Sequence, residues 1–437
     1  MKSFILGLYI FFILLIQNNT YCQDSLTLKD ALEIALKNNF DIKIAGNMVQ
    51  SAKINNSTGN AGGLPGVAAT ASDNLSYTSV YQELADGRII ERPLARTNAL
   101  NAGVNAIYVL FNGFKFYATK KRLAELQKQS EYNLINQINN TCAQVINQYT
   151  LIITQTQYLD ALKTIKELSE KKIDLVKTKK SIGMASEADI LQATLDLNTS
   201  SQNYSTQQMT VKQHTIDLFT LLQWKDFAKL PALNDSITID TTLTLEKVDE
   251  YIKSNPQMQY AEQQVVINQQ IVKELGAQRL PSLRLNAGVN VTNISNEAGI
   301  LLVQQAVGPS VGASLNIPIY YGKSMTNQRK TAELSTENAV LQRQNLAISL
   351  QSGAQKTYEA YRNALSQMTG QLQTVTLANK LYKLMYQKYE LNQATFVDIK
   401  TAQSTYESAL FRYYLIRYQA KIAETELKRL SGACPEY

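Results

Sequence analysis

The sequence predicts a mostly helical α+β chain in which one unit is used twice, each copy a pair of β-strands followed by a long helical hairpin. Three observations predict it. First, the 437-residue chain aligns with itself: at a shift of 209, Gly113 falls on Gly322, Tyr149 on Tyr358, Asp189 on Asp398, Ala193 on Ala402 and Leu221 on Leu430. The leading parts align at 216, where Leu64-Pro65 meets Leu280-Pro281 and Asn39 meets Asn255. Second, glycine and proline, the main helix breakers, are nearly absent from two long stretches. Third, ahead of each stretch the hydrophobic period is 2 rather than 3.6. A repeat this long is domain-sized, not a solenoid turn.

At the N-terminus, Lys2 and the apolar run Phe4–Ile16 form a signal-peptide pattern, the run being too short for a stable span. Thr20 and Cys22 occupy the −3 and −1 positions of a cleavage site before Gln23, so residues 1–22 are read as removed. The rival reading, Cys22 as a lipid-bearing terminus, wants a small preceding residue, where Tyr21 stands. The mature chain then divides into a first repeat, 23–230, and a second, 231–437. It keeps Cys142 and Cys434, which make no disulfide framework. No later run is long and apolar enough for a transmembrane helix. Formal charge is +7, but the basic residues interleave with acidic ones and the densest run, Lys177 to Lys180, spans four positions. That pattern reads as solvated helix faces and not as a nucleic-acid surface.

The strands come next. Leu283, Leu285, Ala287, Val289 and Val291 alternate with Arg284, Asn286, Gly288, Asn290 and Thr292; Val311, Ala313, Leu315, Ile317 and Ile319 alternate with Ser310, Gly312, Ser314, Asn316 and Pro318. The first copy shows Val67, Ala69, Ala71, Leu75 and Tyr77, then Leu100, Ala102, Val104, Ala106, Tyr108 and Leu110. Strands are expected at about 66–78, 99–111, 283–293 and 310–319. Segments of roughly ten residues, apolar on one face and small or polar on the other, are the signature of outer-membrane barrel strands. A soluble sheet with one solvated face alternates too. The aromatics favour the membrane: Phe111, Phe114, Phe116 and Tyr117 close the first pair, Tyr320 and Tyr321 the second.

The helical hairpins follow, at 114–222 and 323–430. No proline stands between Pro93 and Pro231 or between Pro318 and Pro435, and Gly183 is the one glycine between Gly113 and Gly276. A helix from 114 to 182 is about 100 Å long at ~1.5 Å per residue. Ile135, Ile138, Cys142, Val145, Tyr149, Ile152, Thr156 and Leu159 keep a 3-4 spacing, a coiled-coil seam. Tyr358, Tyr361, Leu365, Met368, Leu372, Val375, Asn379 and Tyr382 repeat it. After a break the pattern resumes through Ile190–Leu222 and Ile399–Leu430, giving antiparallel hairpins.

Four strands cannot close a barrel, since the smallest membrane barrels have eight and open edges are not tolerated in lipid. The barrel must be shared, with eight strands in a dimer or twelve in a trimer. Eight-stranded barrels fill with their own side chains, so a chain that also builds a long helical tube favours the trimer.

Taken together, Leu-Thr-Leu-x-x-Ala-Leu-x-x-Ala-Leu-x-x-Asn at Leu26–Asn39, the Leu-Pro pairs at 64–65 and 280–281, Phe-Asn-Gly at 111–113, and Gly183-x5-Asp189-Ile190-Leu191-x-Ala193 resemble the outer-membrane efflux protein (TolC-like) family across residues 23–437. The resemblance implies a homotrimer with a 12-stranded β-barrel in the lipid of a Gram-negative outer membrane, over a periplasmic α-helical barrel. Its tip would dock on a periplasmic adaptor (a membrane fusion protein) and an inner-membrane pump or ABC exporter. The chain would then be the exit duct of a tripartite efflux or type I secretion system, its cargo chosen mainly by the pump. The resemblance also places the pore constriction at the tip turns. There Asp398 matches a lumen-facing carboxylate of the second repeat and Asp189 is its counterpart. Tyr389 matches a tyrosine of tip-to-tip contacts, Gly183 marks the first turn, and Asn392 replaces the glycine of the second. Thr401 stands where some members have a second aspartate and Ala394 where they have an arginine, so their salt-bridge latch is not carried over. An aspartate after a turn also serves as a helix cap, and the two roles are compatible.

Enzyme readings fail on placement. Gly308-Pro309-Ser310-Val311-Gly312 fits the nucleophile-elbow spelling, yet lies in an alternating strand, and the single histidine, His214, precedes it. Gly322-Lys323-Ser324 lacks the first glycine of a phosphate loop, Ile317 standing there. No metal cluster or cofactor motif is expected. A periplasmic adaptor would carry one hairpin rather than two. A coiled-coil envelope scaffold or adhesin, the remaining alternative, would lack the strand pairs.

Overall fold

The computed structural model describes residues 25–233, 237–252 and 254–432; the signal peptide, Cys22, Gln23 and Cys434 lie outside them. In chain order the elements are α1 (Leu28–Asn38), α2 (Phe40–Asn55), β1 (Gly66–Glu83), β2 (Ile89–Asn112), α3 (Lys115–Ser181), α4 (Glu187–Leu221), α5 (Leu245–Ile252), α6 (Pro256–Ala277), β3 (Ser282–Asn296), β4 (Val303–Asn316), α7 (Ser324–Glu390) and α8 (Phe396–Leu430). Two compact units cut across the repeats. One gathers Ile135–Asn255 with the described residues up to Ile44 and from Ile348 onward, and the other joins Ala45–Leu134 to Pro256–Ala347. The junction near residue 230 therefore divides a duplication and not two folding units. A strand pair cannot stand alone, so each pairs with its duplicate.

The sheet runs β1-β2-β3-β4, antiparallel throughout. Leu285 pairs with Tyr108 and Ala313, and Val289 with Val104 and Pro309, so the alternating apolar residues of both copies share one face. Nothing in the described chain covers that face, and Val311 is 85% exposed. The other face is amide and hydroxyl. Asn105 Nδ2 donates to Asn290 Oδ1 at 3.3 Å, Thr292 Oγ1 to Asn101 Oδ1 at 3.1 Å and Asn286 Nδ2 to Ser314 Oγ at 3.4 Å. The amides lie over Gly103 and Gly288, where a Cβ would fall 2.2 Å from Asn290 Oδ1 and Asn105 Oδ1 respectively. Glycine is required there by close approach.

Strand limits differ from expectation in β1, β2 and β4, and β4 already begins at Val303 where the alternation suggested 310. β4 stops at Asn316, leaving Ile317 and Ile319 outside it, because Pro318 has no N–H to give the ladder. β1 and β2 run on to Glu83 and from Ile89, past the 9–11 residues a bilayer needs. The turn between them carries the ion pair Arg88–Asp86 at 2.7 Å, and Arg92 of β2 meets Glu297 just past β3 at 2.9 Å, both of which suit water beyond the membrane.

Helices α3 and α7 each run 67 residues and α4 and α8 each 35. In α3, Cys142, Val145, Tyr149 and Ile152 are buried as the seam requires, while Ile135 is exposed. Val145, Ile146 and Tyr149 pack with Leu32 of α1 and Leu218 and Phe219 of α4, and the Tyr149 hydroxyl donates to Leu26 O at 2.7 Å. In α7 the expected seam is half right. Tyr361 and Tyr382 are buried, but Leu372 is 49% exposed and Ala364 and Ala378 are buried instead of Leu365 and Asn379. Alanines let neighbouring helices approach closely, and the seam shifts by one residue at alternate positions.

The paired asparagines now have a reason. Asn39 Nδ2 donates to Leu221 O at 3.4 Å and Asn255 Nδ2 to Leu430 O at 2.8 Å. Each satisfies a terminal carbonyl of its own return helix, groups a helix leaves unpaired. Among the described residues no helix is long and apolar enough to cross a membrane.

Candidate functional site

Each hairpin turns in five residues on the same backbone hydrogen bonds. Gly183 N–H donates to Lys180 O at 2.9 Å and Met184 N–H to Lys179 O at 2.8 Å; Asn392 N–H donates to Tyr389 O at 3.1 Å and Gln393 N–H to Lys388 O at 2.8 Å. Both need one left-handed residue, supplied by Gly183 at φ 78° and by Asn392 at φ 58°. Asparagine is the commonest substitute for glycine in that conformation.

Both return helices open with a capping box. The Ser186 N–H and hydroxyl each donate to Asp189 Oδ2 at 2.8 Å, and the Asp189 N–H returns a bond to Ser186 Oγ at 3.2 Å. Thr395 N–H and hydroxyl donate to Asp398 Oδ2 at 2.7 Å each, and Asp398 N–H to Thr395 Oγ1 at 3.3 Å. The aspartates occupy the third helical position and the caps themselves are Ser186 and Thr395. The Thr395 bonds hold the Asp398 carboxyl below its usual range, although the group is fully exposed.

Tyr389, by contrast, is buried in a cluster with Ile173, Val176, Tyr382, Phe396 and Ile399, in which both hairpins take part. Burial, with the charge of Asp189 second, raises its hydroxyl above the ordinary range. Thr401 donates to Val397 O at 2.9 Å within its own helix, and Ala394 packs against the cluster, so neither forms a latch.

Between the hairpins lie two buried lysines, and one of them, Lys179, belongs to the Lys177–Lys180 run expected to be a solvated face. Lys179, 4% exposed, donates to Asn392 Oδ1 and, at 3.4 Å, to Glu390 O, with its ammonium 4.6 Å from the Tyr389 ring centre. One heptad earlier Lys172, 1% exposed, donates to Asp196 Oδ2 at 2.9 Å and to Gln403 Oε1 at 3.0 Å, and lies 5.1 Å from the Phe396 ring centre. Gln403 Nε2 donates to Ser169 Oγ at 2.8 Å, which meets Ser200 Oγ at 3.0 Å. Lys400 and Gln192 complete the Asp196 carboxylate at 3.2 and 3.0 Å. Burial lowers the Lys172 pKa despite its partner. Burial pushes Asp196 the other way, but its hydrogen bonds from Lys172, Gln192 and Lys400 prevail and hold it low. The signal was present: Leu162, Ile165, Ser169, Lys172, Val176 and Lys179 keep a 3-4 spacing one residue out of phase with the Ile135–Leu159 seam, and all are buried.

Among the described residues no group of three or more His, Cys, Asp or Glu could hold a metal ion. Ser310 sits within β4 opposite Gly288, away from any strand-to-helix elbow.

Comparison with known proteins bears on the family and the fold. A family model described as outer membrane efflux protein matches residues 31–222 and 248–433, one segment in each repeat. The outer membrane protein TolC of Escherichia coli K12 is 21% identical over 361 residues, covering 78% of this chain and 71% of TolC. The Campylobacter jejuni CmeC outer membrane channel superposes with a TM-score of 0.78 at 17% identity, over 93% of this chain and 85% of that one. The outer membrane protein VceC of Vibrio cholerae gives 0.78 at 14% identity, over 94% and 97%.

Proposed function

The chain belongs to the outer membrane efflux protein family, and from that premise we propose that three copies make the exit duct of a tripartite efflux or type I secretion system. It is an outer-membrane channel with a periplasmic extension. The observation that carries the trimer is the sheet: four strands with an uncovered apolar face and two free edges, β1 and β4. Edges in lipid must be paired, and joining β4 of one copy to β1 of the next three times gives a closed 12-stranded barrel. The amide face then lines the lumen. The helices carry the lumen through the periplasm, and the hairpin tips meet an adaptor and an inner-membrane pump or exporter.

The tips form the narrowest part of the duct in this reading. Asp398 and Asp189 contribute negative charge there, and a narrow throat of low dielectric focuses their field. Asn392 and Gly183 shape the turns, and Tyr389 anchors the second hairpin to the first.

Val289→Arg against Ser310→Arg tests the barrel. Val289 lies mid-sheet on the apolar face and Ser310 on the amide face. An arginine at mid-membrane costs about 2–4 kcal/mol per site, applied in each of three copies. Val289→Arg should abolish detergent-stable trimers in outer-membrane fractions, whereas Ser310→Arg should assemble and conduct ions in planar bilayers. Equal assembly of both variants would refute the membrane register.

A further inference from the structure

We propose that a groove at the foot of the sheet binds the phosphate headgroup of an anionic phospholipid from the inner leaflet of the outer membrane. The groove, about 710 Å³, lies where Gly113 leads β2 into α3 and Leu280 leads from α6 towards β3. Its walls carry four cations, Lys121, Lys273, Arg279 and Arg329, beside the aromatic rings of Phe114 and Tyr117. Gln270, 3% exposed, supplies a buried amide to the lining. The nearby acids are already engaged, Glu274 with Arg122 at 2.7 Å and Glu333 with Arg329 at 2.9 Å. Arg329 is thereby compensated, and an anion entering the groove meets the charges of Lys121, Lys273 and Arg279.

The sheet register says which way the groove opens. Phe111 pairs with Leu283, two residues from Leu285 on the apolar face. Its ring meets Phe114 edge-on at 5.2 Å, and Phe114 lies 6.4 Å from Tyr117. The aromatic wall thus continues the lipid-facing surface, at the level where rings mark a membrane interface. Acyl chains can lie against Tyr108 and Leu285 while the phosphate enters the cations below. The helical end of the strands faces the periplasm, which assigns the ligand to the inner leaflet. In the proposed assembly neighbouring copies join at β1 and β4, whereas Gly113 and Leu280 set the groove at the ends of the central strands β2 and β3. Juxtamembrane cations attract anionic lipid at roughly fivefold in affinity per charge.

The proposal rests on the outer-membrane placement of the strands, so binding is read on the purified full chain in detergent, where insertion is not required. Native mass spectrometry with phosphatidylglycerol and with phosphatidylcholine should show the wild-type assembly retaining the anionic lipid at least about tenfold better. K121Q/K273Q/R279Q should lose about tenfold or more of that retention. K163Q/K171Q/K177Q, which removes the same charge from the hairpin, should keep it. Millimolar inorganic phosphate should not displace the lipid. Equal retention of the two lipids by wild type overturns the proposal, as does unchanged retention by the groove variant. Displacement by inorganic phosphate alone would mean a free-anion site and also overturns it. Should the groove variant fail to assemble, the wild-type comparison of the two lipids still decides.

Discussion

The turn after α3 and the turn after α7 share their backbone bonds, their capping boxes and their aspartates, yet they give opposite things to each other. The first hairpin supplies cations: Lys179 reaches Asn392 and the Tyr389 ring, and Lys172 reaches Gln403 and the Phe396 ring. The second supplies acceptors and aromatic faces at those two lysines, and returns Lys400 to Asp196 at the edge of the cluster. At the 209-residue shift, Lys172 corresponds to Leu381, which is 41% exposed, and Asp196 to Thr405. Duplication kept the motif that closes each hairpin, because any helix reversal needs it. It released the side chains between hairpins, because one copy must now fit the other.

The largest test of that asymmetry is Lys172→Met. Stripping one partner from a buried ion pair costs about 3–5 kcal/mol. Asp196 keeps Lys400 and Gln192, so about 2–3 kcal/mol is expected here. Hydrogen exchange should show protection lost around Ile165–Val176 and Phe396–Gln403, on both hairpins at once. The counterpart Leu381→Met should stay within about 0.5 kcal/mol. Loss confined to α3 and α4 would mean that Lys172 does not join the hairpins.

A smaller difference is expected between the turns themselves. Gly183→Ala forces a Cβ into the left-handed region at about 1–2 kcal/mol. Asn392→Gly relaxes the same strain but removes the acceptor of Lys179, so the two effects offset and the net should lie within about 1 kcal/mol. Thermal melting of the assembled protein would resolve the pair. A large loss from Asn392→Gly would raise the Lys179 bond above the backbone in importance.

These residues also mark where the sequence was readable. The strand faces were legible because two copies repeat the same alternation, and Leu285, Val289 and Val311 share a face as that period requires. Strand ends were not, because the last ladder pairs, from Val80–Arg92 to Glu83–Ile89, set apolar residues against charged or polar ones and lose the clean alternation. The α7 seam was misplaced by one residue at alternate positions, since leucine weighs more than alanine in a hydrophobic pattern although alanine makes the closer contact. The lysines were missed for a related reason. A charged residue reads as solvated, and only the unbroken 3-4 spacing from Leu162 to Lys179 says otherwise. Asp189 and Asp398 could be located, but a carboxylate in a capping box and a carboxylate in a pore look alike in sequence.

Separating those two roles is the finest test. Asp398→Asn removes the charge and Thr395→Ala removes the cap while leaving the charge. Losing the threonine cap costs about 0.5–2 kcal/mol of helix stability, with trimers still forming. If Asp398 belongs to a constriction ring, Asp398→Asn should lower cation selectivity and weaken block by divalent cations in single-channel recordings, and Thr395→Ala should leave both near wild type. The Thr395 bonds favour the ionised form of Asp398, so its charge should persist as pH falls to the ordinary carboxylate value of about 3.9 and vanish only below it. Thr395→Ala removes the hydroxyl bond and keeps the backbone one, and its cation preference should therefore fade at a somewhat higher pH than that of wild type. Identical recordings from all three proteins would leave Asp398 as part of a helix cap alone and move the constriction to another level of the duct.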